Sequence, residues 1–192
     1  MLEQRSSQSI ETLAGFTAPE LIIPDLSALT ASAVISELCA ALLSYGCVQD
    51  LTSYKEAVLA RESISPTAFV SGWALPHARL PAIPELKFAL GRTVQPVAWF
   101  GKTPAQVRTV LLFAVPDDTA KAYLNVNAAV ARLTQNVPLL ERLRAASDAT
   151  SIFGILKEVH LPYANLGTSD RATPPVFAPI RASMEAGKPR PI

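Results

Sequence analysis

Apolar positions recur at helical spacing over residues 31–45, where Val34, Leu38, Ala41 and Leu42 share one face. Thr30 or Ser32 is placed to cap this helix and Gly46 to end it. A second helix is predicted over 51–61, with Asp50 or Thr52 as its N-cap. Upstream, Leu21-Ile22-Ile23-Pro24 reads as an edge strand, because proline cannot donate to a ladder. The stretch 63–84 is rich in loops and prolines. Strands are predicted over 86–93 and 97–100. The run 107–115 is β-rich and almost wholly apolar, which predicts a central strand. Pro116-Asp117-Asp118 ends it and leads into a helix over 119–135, with Leu124, Ala128, Ala131 and Leu133 facing inward. Two more helices are predicted over 139–146 and 151–159. The expected fold is a single α/β domain with a mixed central β-sheet and α-helices on both faces. The expected limits are a flexible lead over 1–18, the domain over 19–160, and a Pro-rich tail over 161–192.

Composition narrows the function classes. Hydrophobic residues make up 49% of the chain and charged residues 17%, enough to build a substantial core. The net charge is +1 with no basic block, so nucleic acid is not the expected partner. Residues 1–9 lack the apolar core of a signal peptide, and no run reaches membrane-spanning length. Cys39 and Cys47 fit neither a metal spacing nor a disulfide framework. The expectation is a cytoplasmic protein that does not insert in a membrane. There is no carboxylate cluster for a metal, no Gly-x-Ser-x-Gly elbow and no Gly-rich nucleotide loop. No metal or cofactor is expected.

The chemistry concentrates in Ala74-Leu75-Pro76-His77-Ala78-Arg79, which holds one of only two histidines. Histidine is a neutral nucleophile near pH 7. Pro76 stiffens the chain just before it. His77 follows the pair Arg61-Glu62 by about fifteen residues, and a guanidinium there suits an anionic group arriving at the imidazole. These parts fit phosphoryl transfer to His77. Each also has a plainer reading. His77 alone reads as an ordinary loop histidine, and Arg61 near a helix end complements the helix dipole. Glu62 reads as a surface or capping partner, His160 as exposed and inert, and Trp73 and Trp99 as core or rim packing. Arg79 reads equally as a solvated charge or as a contact for an acidic partner.

Four segments, in order and spacing, resemble the enzyme IIA domains of the bacterial phosphoenolpyruvate-dependent phosphotransferase system, mannitol/fructose/nitrogen-regulatory class, and most of all its nitrogen branch. They are "AVLARES" from Ala57, "GWALPHARL" from Gly72, "VRTVLLFAVPDD" from Val107 and "YLNVNAAVARLTQNVPLLERLRAA" from Tyr123. The resemblance covers residues 21–159. It implies that His77 accepts a phosphoryl group from the phosphohistidine of HPr or its nitrogen-branch counterpart. Arg61 would stabilise the transferred group. Thr67 and the backbone around Gly72 would add donors. The downstream partner would be an enzyme IIB domain or a regulatory target protein. Two departures stand out. Tyr123 occupies the place of the second histidine that many members carry. Ala68, Phe69, Val70, Ser71 and Trp73 fill an approach that is usually smaller.

Two functions follow. The first is a phosphocarrier in a phosphotransferase relay, in a transport or a regulatory version. The lack of a fused IIB or membrane segment and the nitrogen-branch likeness favour the regulatory one. The alternative is a degenerate enzyme IIA-like binding module, which Tyr123 and the bulky approach favour and His77 and Arg61 oppose.

Overall fold

The computed structural model describes residues 12–69 and 71–162. Among them a six-stranded mixed sheet runs in the order β1-β5-β6-β3-β2, with β4 also on β6. The strands are β1 (Ile22–Leu26), β2 (Ala68–Phe69), β3 (Trp73–Ala74), β4 (His77–Arg79), β5 (Lys87–Ala98) and β6 (Gln106–Val115). β5 and β6 pair antiparallel, whereas β1 runs parallel to β5 and both β3 and β4 run parallel to β6. β6 is buried from Thr109 to Val115, as its unbroken apolar run predicts.

Two cores lie on the two faces of the sheet. One is built with α1 (Ala31–Ser44) and α2 (Leu51–Ile64), through residues such as Val34, Leu38, Tyr54 and Val58. The other is built with α3 (Ala120–Gln135), α4 (Val137–Ala145) and α5 (Ala149–Leu156), through Val126, Val130, Leu140 and Ile152. The helix starts follow side-chain capping. Thr30, Asp50, Asn136 and Asp148 accept from the backbone amides of Ala33, Ser53, Leu139 and Ser151. α1 ends at Gly46 with φ +87°, where the amides of Gly46 and Cys47 bond the carbonyls of Leu43 and Leu42. Those are the two closing bonds of a Schellman motif, which needs a left-handed residue at that step.

Three expectations change. Residues 13–16 are not a lead: Leu13, Ala14 and Phe16 are buried in a 3-10 turn, and Thr12 bridges His160. Their apolar side chains complete the core under α3 and α5, and residues 1–11 lie outside the described residues. The tail expected over 161–192 likewise lies outside from residue 163 on, although Leu161 is buried. The strands expected at 86–93 and 97–100 are one strand, β5, whose register breaks between Arg92 and Val97. Pro96 falls in that break, where no ladder donor is required. On α3, Leu124 is 52% exposed and Tyr123 turns inward instead. Tyr123, Val126, Val130 and Leu133 form the buried stripe there, spaced by three and four residues.

Candidate functional site

β3 and β4 are two halves of one line beside β6, broken at Leu75-Pro76. Pro76 has no amide to give, but its carbonyl accepts from Phe113. The chain therefore stays attached to β6 across the break and re-enters the ladder at His77, opposite Phe113. The histidine expected in a loop is thus the first residue of a buried-sheet strand. Tyr54 on α2 donates its hydroxyl to the Phe113 carbonyl at 2.8 Å. The same β6 residue anchors both the histidine strand and the helix that carries Arg61.

The His77 ring is half-buried, and Nδ1 lies 3.2 Å from the Leu75 carbonyl oxygen. A carbonyl only accepts, so Nδ1 carries the proton and Nε2 keeps a free lone pair. Burial, the largest cause, holds the imidazole pKa below its ordinary value. The Arg61 and Arg79 charges push the same way, against the Leu75 bond and Glu62. His77 is accordingly neutral near pH 7, with its nucleophilic nitrogen available.

Two cavities open beside this ring. One, of about 340 Å³, is lined by His77, Arg61, Arg79 and Tyr123 with Ala57, Ala78 and Val115. The other, of about 320 Å³, is lined by His77, Arg61, Tyr123, Thr67 and Asn127 among others. The Tyr123 and His77 rings stand 5.3 Å apart at 46°, and Tyr123 packs edge-on to Phe113. Burial, the leading cause, raises the phenol pKa against the lowering by Asn127 and Arg61. Tyr123 therefore offers an O–H donor and no charge at neutral pH.

Arg61 bonds its own helix end and also reaches the His77 cavities. Its Nη1 donates to the Ser65 carbonyl at 2.6 Å, closing its own helix, and its side chain lines both cavities. Thr67 reaches the second cavity, and its Oγ1 is buried with no protein partner among the described residues. Gly72 is not brought to His77. It sits at φ +78° in the turn between β2 and β3, bonded through its amide to Phe69 and through its carbonyl to Arg108 and Thr109. The left-handed turn requires glycine there, and its backbone polar groups are consumed by the sheet.

Glu62 corrects the sequence reading most sharply. It is fully buried, not a surface residue. Its Oε2 accepts from Trp99 Nε1 at 2.7 Å and from the Thr67 amide at 3.0 Å. It thereby ties the end of α2, the Thr67 segment and the end of β5 into one unit next to Arg61. The signal was available: Tyr54, Val58 and Glu62 fall on one stripe at intervals of four residues. Trp99 is core, as the packing reading holds, and Trp73 is buried as well. His160 is exposed, and its Nδ1 rests on the Glu158 carbonyl. Cys39 and Cys47 are buried free thiols, with burial pushing Cys39 up to about 12. No group of His, Cys, Asp and Glu suited to a metal occurs among the described residues, and no helix there is long and apolar enough to cross a membrane.

Comparison with known proteins places these features in context. Residues 16–159 match the family described as "Phosphoenolpyruvate-dependent sugar phosphotransferase system, EIIA 2". A nitrogen regulatory protein of Bradyrhizobium diazoefficiens is 29% identical over 139 residues, which is 72% of this chain and 90% of that protein. The chain spans only 19% and 20% of the longer EIIABC components of Escherichia coli and Bacillus subtilis that it also matches. Among solved structures, nitrogen regulatory protein IIA-Ntr from Neisseria meningitidis superposes with a TM-score of 0.65 at 20% identity, over 75% of this chain and 98% of that one. Enzyme IIA for mannitol from Escherichia coli, solved in complex with phosphorylated enzyme IIB, gives 0.63 at 19% identity, over 73% and 96%. At these identities the superpositions speak for the fold.

Proposed function

Since the chain belongs to the EIIA 2 family of the phosphoenolpyruvate-dependent sugar phosphotransferase system, we propose that it is a phosphocarrier whose acceptor atom is Nε2 of His77. The observation that carries this reading is the Nδ1 contact to Leu75, which leaves Nε2 as the nucleophilic nitrogen. A carrier protein of the HPr type presents a phosphohistidine. The Nε2 lone pair forms the new N–P bond as the donor's N–P bond breaks, and the departing pair stays on the donor imidazole. His77 gains positive character at its Nδ1–H, which the Leu75 carbonyl stabilises. Catalysis here is mainly positioning and stabilisation of the three equatorial oxygens. Arg61 and Arg79 supply positive charge at the cavity, and the Tyr123 hydroxyl and Thr67 Oγ1 supply neutral donors. One positioned donor is typically worth about 2.7–4 kcal/mol in a transition state. No metal or cofactor enters this step.

The phosphoryl group then passes to an enzyme IIB domain or serves as a signal read by a regulatory target, in the cytoplasm. The relative named as a nitrogen regulatory protein, matched over nearly its whole length, supports the regulatory version. Two observations favour a binding module with weak transfer instead. Arg61 spends one guanidinium nitrogen on Ser65, and Tyr123 brings no cation to the ring it faces.

Incubation with phosphoenolpyruvate, enzyme I and the carrier, followed by intact-mass measurement, tests the reading. One acid-labile phosphoryl group is expected on the natural chain and none on His77→Ala. Undiminished labelling of His77→Ala, or labelling at His160 alone, would refute it.

A further inference from the structure

Toward the opposite end of β6 from His77 lies a cavity of about 630 Å³ lined by three arginines, Arg92, Arg108 and Arg144. Arg92 is already committed. Its guanidinium donates to the carbonyls of Pro24, Leu143, Arg144 and Ala146, and so clamps the end of α4 to the sheet. Arg108 gives one nitrogen to the Val94 carbonyl at 3.0 Å and keeps the rest of its fork. The guanidinium of Arg144, in the last turn of α4, has no protein partner among the described residues. Asp25 is the one carboxylate in the lining, so three cations face one anion. Trp73, Pro24, Val94 and Pro96 provide apolar wall, and Ser71 and Thr109 provide hydroxyls.

This is a concave site with mixed polar and apolar walls, of the volume that small-molecule sites have. Its surplus charge selects an anion. Guanidinium forks match phosphate oxygens in pairs, and Arg108 and Arg144 hold uncommitted N–H groups for that purpose. Asp25 narrows the class further. A bare dianion meets repulsion from it, whereas a ligand with hydroxyl groups beside its phosphate gives that carboxylate a donor. We propose that this cavity is a second ligand site, separate from His77, that takes a small polyol or sugar phosphate. The phosphate sits on Arg108 and Arg144, and a hydroxyl donates to Asp25.

The test is a titration of the full-length ¹⁵N-labelled protein with glycerol 3-phosphate, inorganic phosphate and succinate, followed residue by residue by NMR. Glycerol 3-phosphate is expected to move the amides of Ser71, Gly72 and Thr109 saturably, and at least threefold more tightly than the other two. Arg108→Gln with Arg144→Gln should weaken it tenfold or more, while Arg61→Gln leaves it unchanged. Circular dichroism of the double variant establishes that it is folded. Movement confined to His77, Ala78 and Arg79, non-saturable shifts, or full affinity in the double variant would overturn the site. Succinate binding as tightly as glycerol 3-phosphate would overturn the ligand class.

Discussion

Nδ1 of His77 lies 3.2 Å from the main-chain oxygen of Leu75, only two residues earlier. The protein thus fixes the tautomer of its key imidazole with its own backbone, across the proline that breaks the strand. Burial lowers the pKa of the same ring from its ordinary value of 6.5. ¹⁵N NMR of the imidazole should show the Nδ1–H form at neutral pH and a midpoint below 6.5. Phosphoryl acceptance, which needs the neutral ring, should therefore hold its rate below pH 6.5 and fail only as pH drops through the lowered midpoint. The linkage has a definite sign. The unfolded chain takes up this proton more readily, so His77 costs stability as pH falls below 6.5 and costs nothing above it. A midpoint at or above 6.5 would contradict the assignment.

Arg61→Lys keeps the charge and loses the fork. It also loses the bond to the Ser65 carbonyl, an exposed helix-end contact worth roughly 0.5–1.5 kcal/mol. The expectation is phosphoryl transfer slowed more than tenfold, with a melting temperature lowered by only a few degrees, about what such a bond accounts for. Single-turnover transfer and calorimetry on the same variant separate the two effects. A natural transfer rate with lowered stability would make Arg61 a helix cap and nothing more.

Glu62→Ala should be far more costly. It removes a buried acceptor and leaves Trp99 Nε1 and the Thr67 amide without their partner. Each orphaned buried donor costs about 1–3 kcal/mol, so a loss of at least about 2 kcal/mol is expected in urea unfolding. Trp99→Phe removes one of the same bonds. In a double-mutant cycle with Glu62→Ala the two losses should be strongly non-additive. Additive losses would mean that the Trp99–Glu62 contact contributes nothing of its own.

The contrast between Arg61 and Glu62 shows what the sequence makes legible. The helices, the central strand and the mixed sheet follow from periodicity and capping, because β6 and the faces of α1 and α3 are apolar in a regular pattern. The resemblance sets Tyr123 in the place of the family's second histidine, and its ring meets that of His77. Local pattern failed where long-range partners decide. Glu62 reads as a surface carboxylate until Trp99, thirty-seven positions away, is known to face it. Leu124 outranks Tyr123 on hydrophobicity alone, yet the half-polar side chain is the one turned toward the sheet. The resemblance sets Gly72 in the His77 approach, but its backbone is bound to β6 at Arg108 and Thr109.

The Tyr123 ring, 5.3 Å from that of His77, gives the last prediction its geometry. A phenol held above its ordinary pKa by burial is an uncharged donor for a phosphoryl oxygen. Because that oxygen is anionic, the bond is worth about 1.5–3 kcal/mol, and an imidazolium in the same place adds the attraction of its own positive charge. Tyr123→Phe should therefore lower the yield or lifetime of the phosphorylated form by about tenfold or more. Tyr123→His places a group that becomes imidazolium beside a phosphate, and should raise that yield or lifetime above the natural level. Intact-mass time courses after removal of the phosphoryl donor measure both. Loss in the Phe variant with gain in the His variant would show that the natural site trades phosphate retention for a neutral donor, as a short-lived signal requires. Loss in both would mean that the pocket has been rebuilt around the phenol, with Asn127 and Arg61 arranged to serve it. No change in either would leave the Tyr123 ring as packing against His77 and Phe113, and would move the protein toward the binding-module reading.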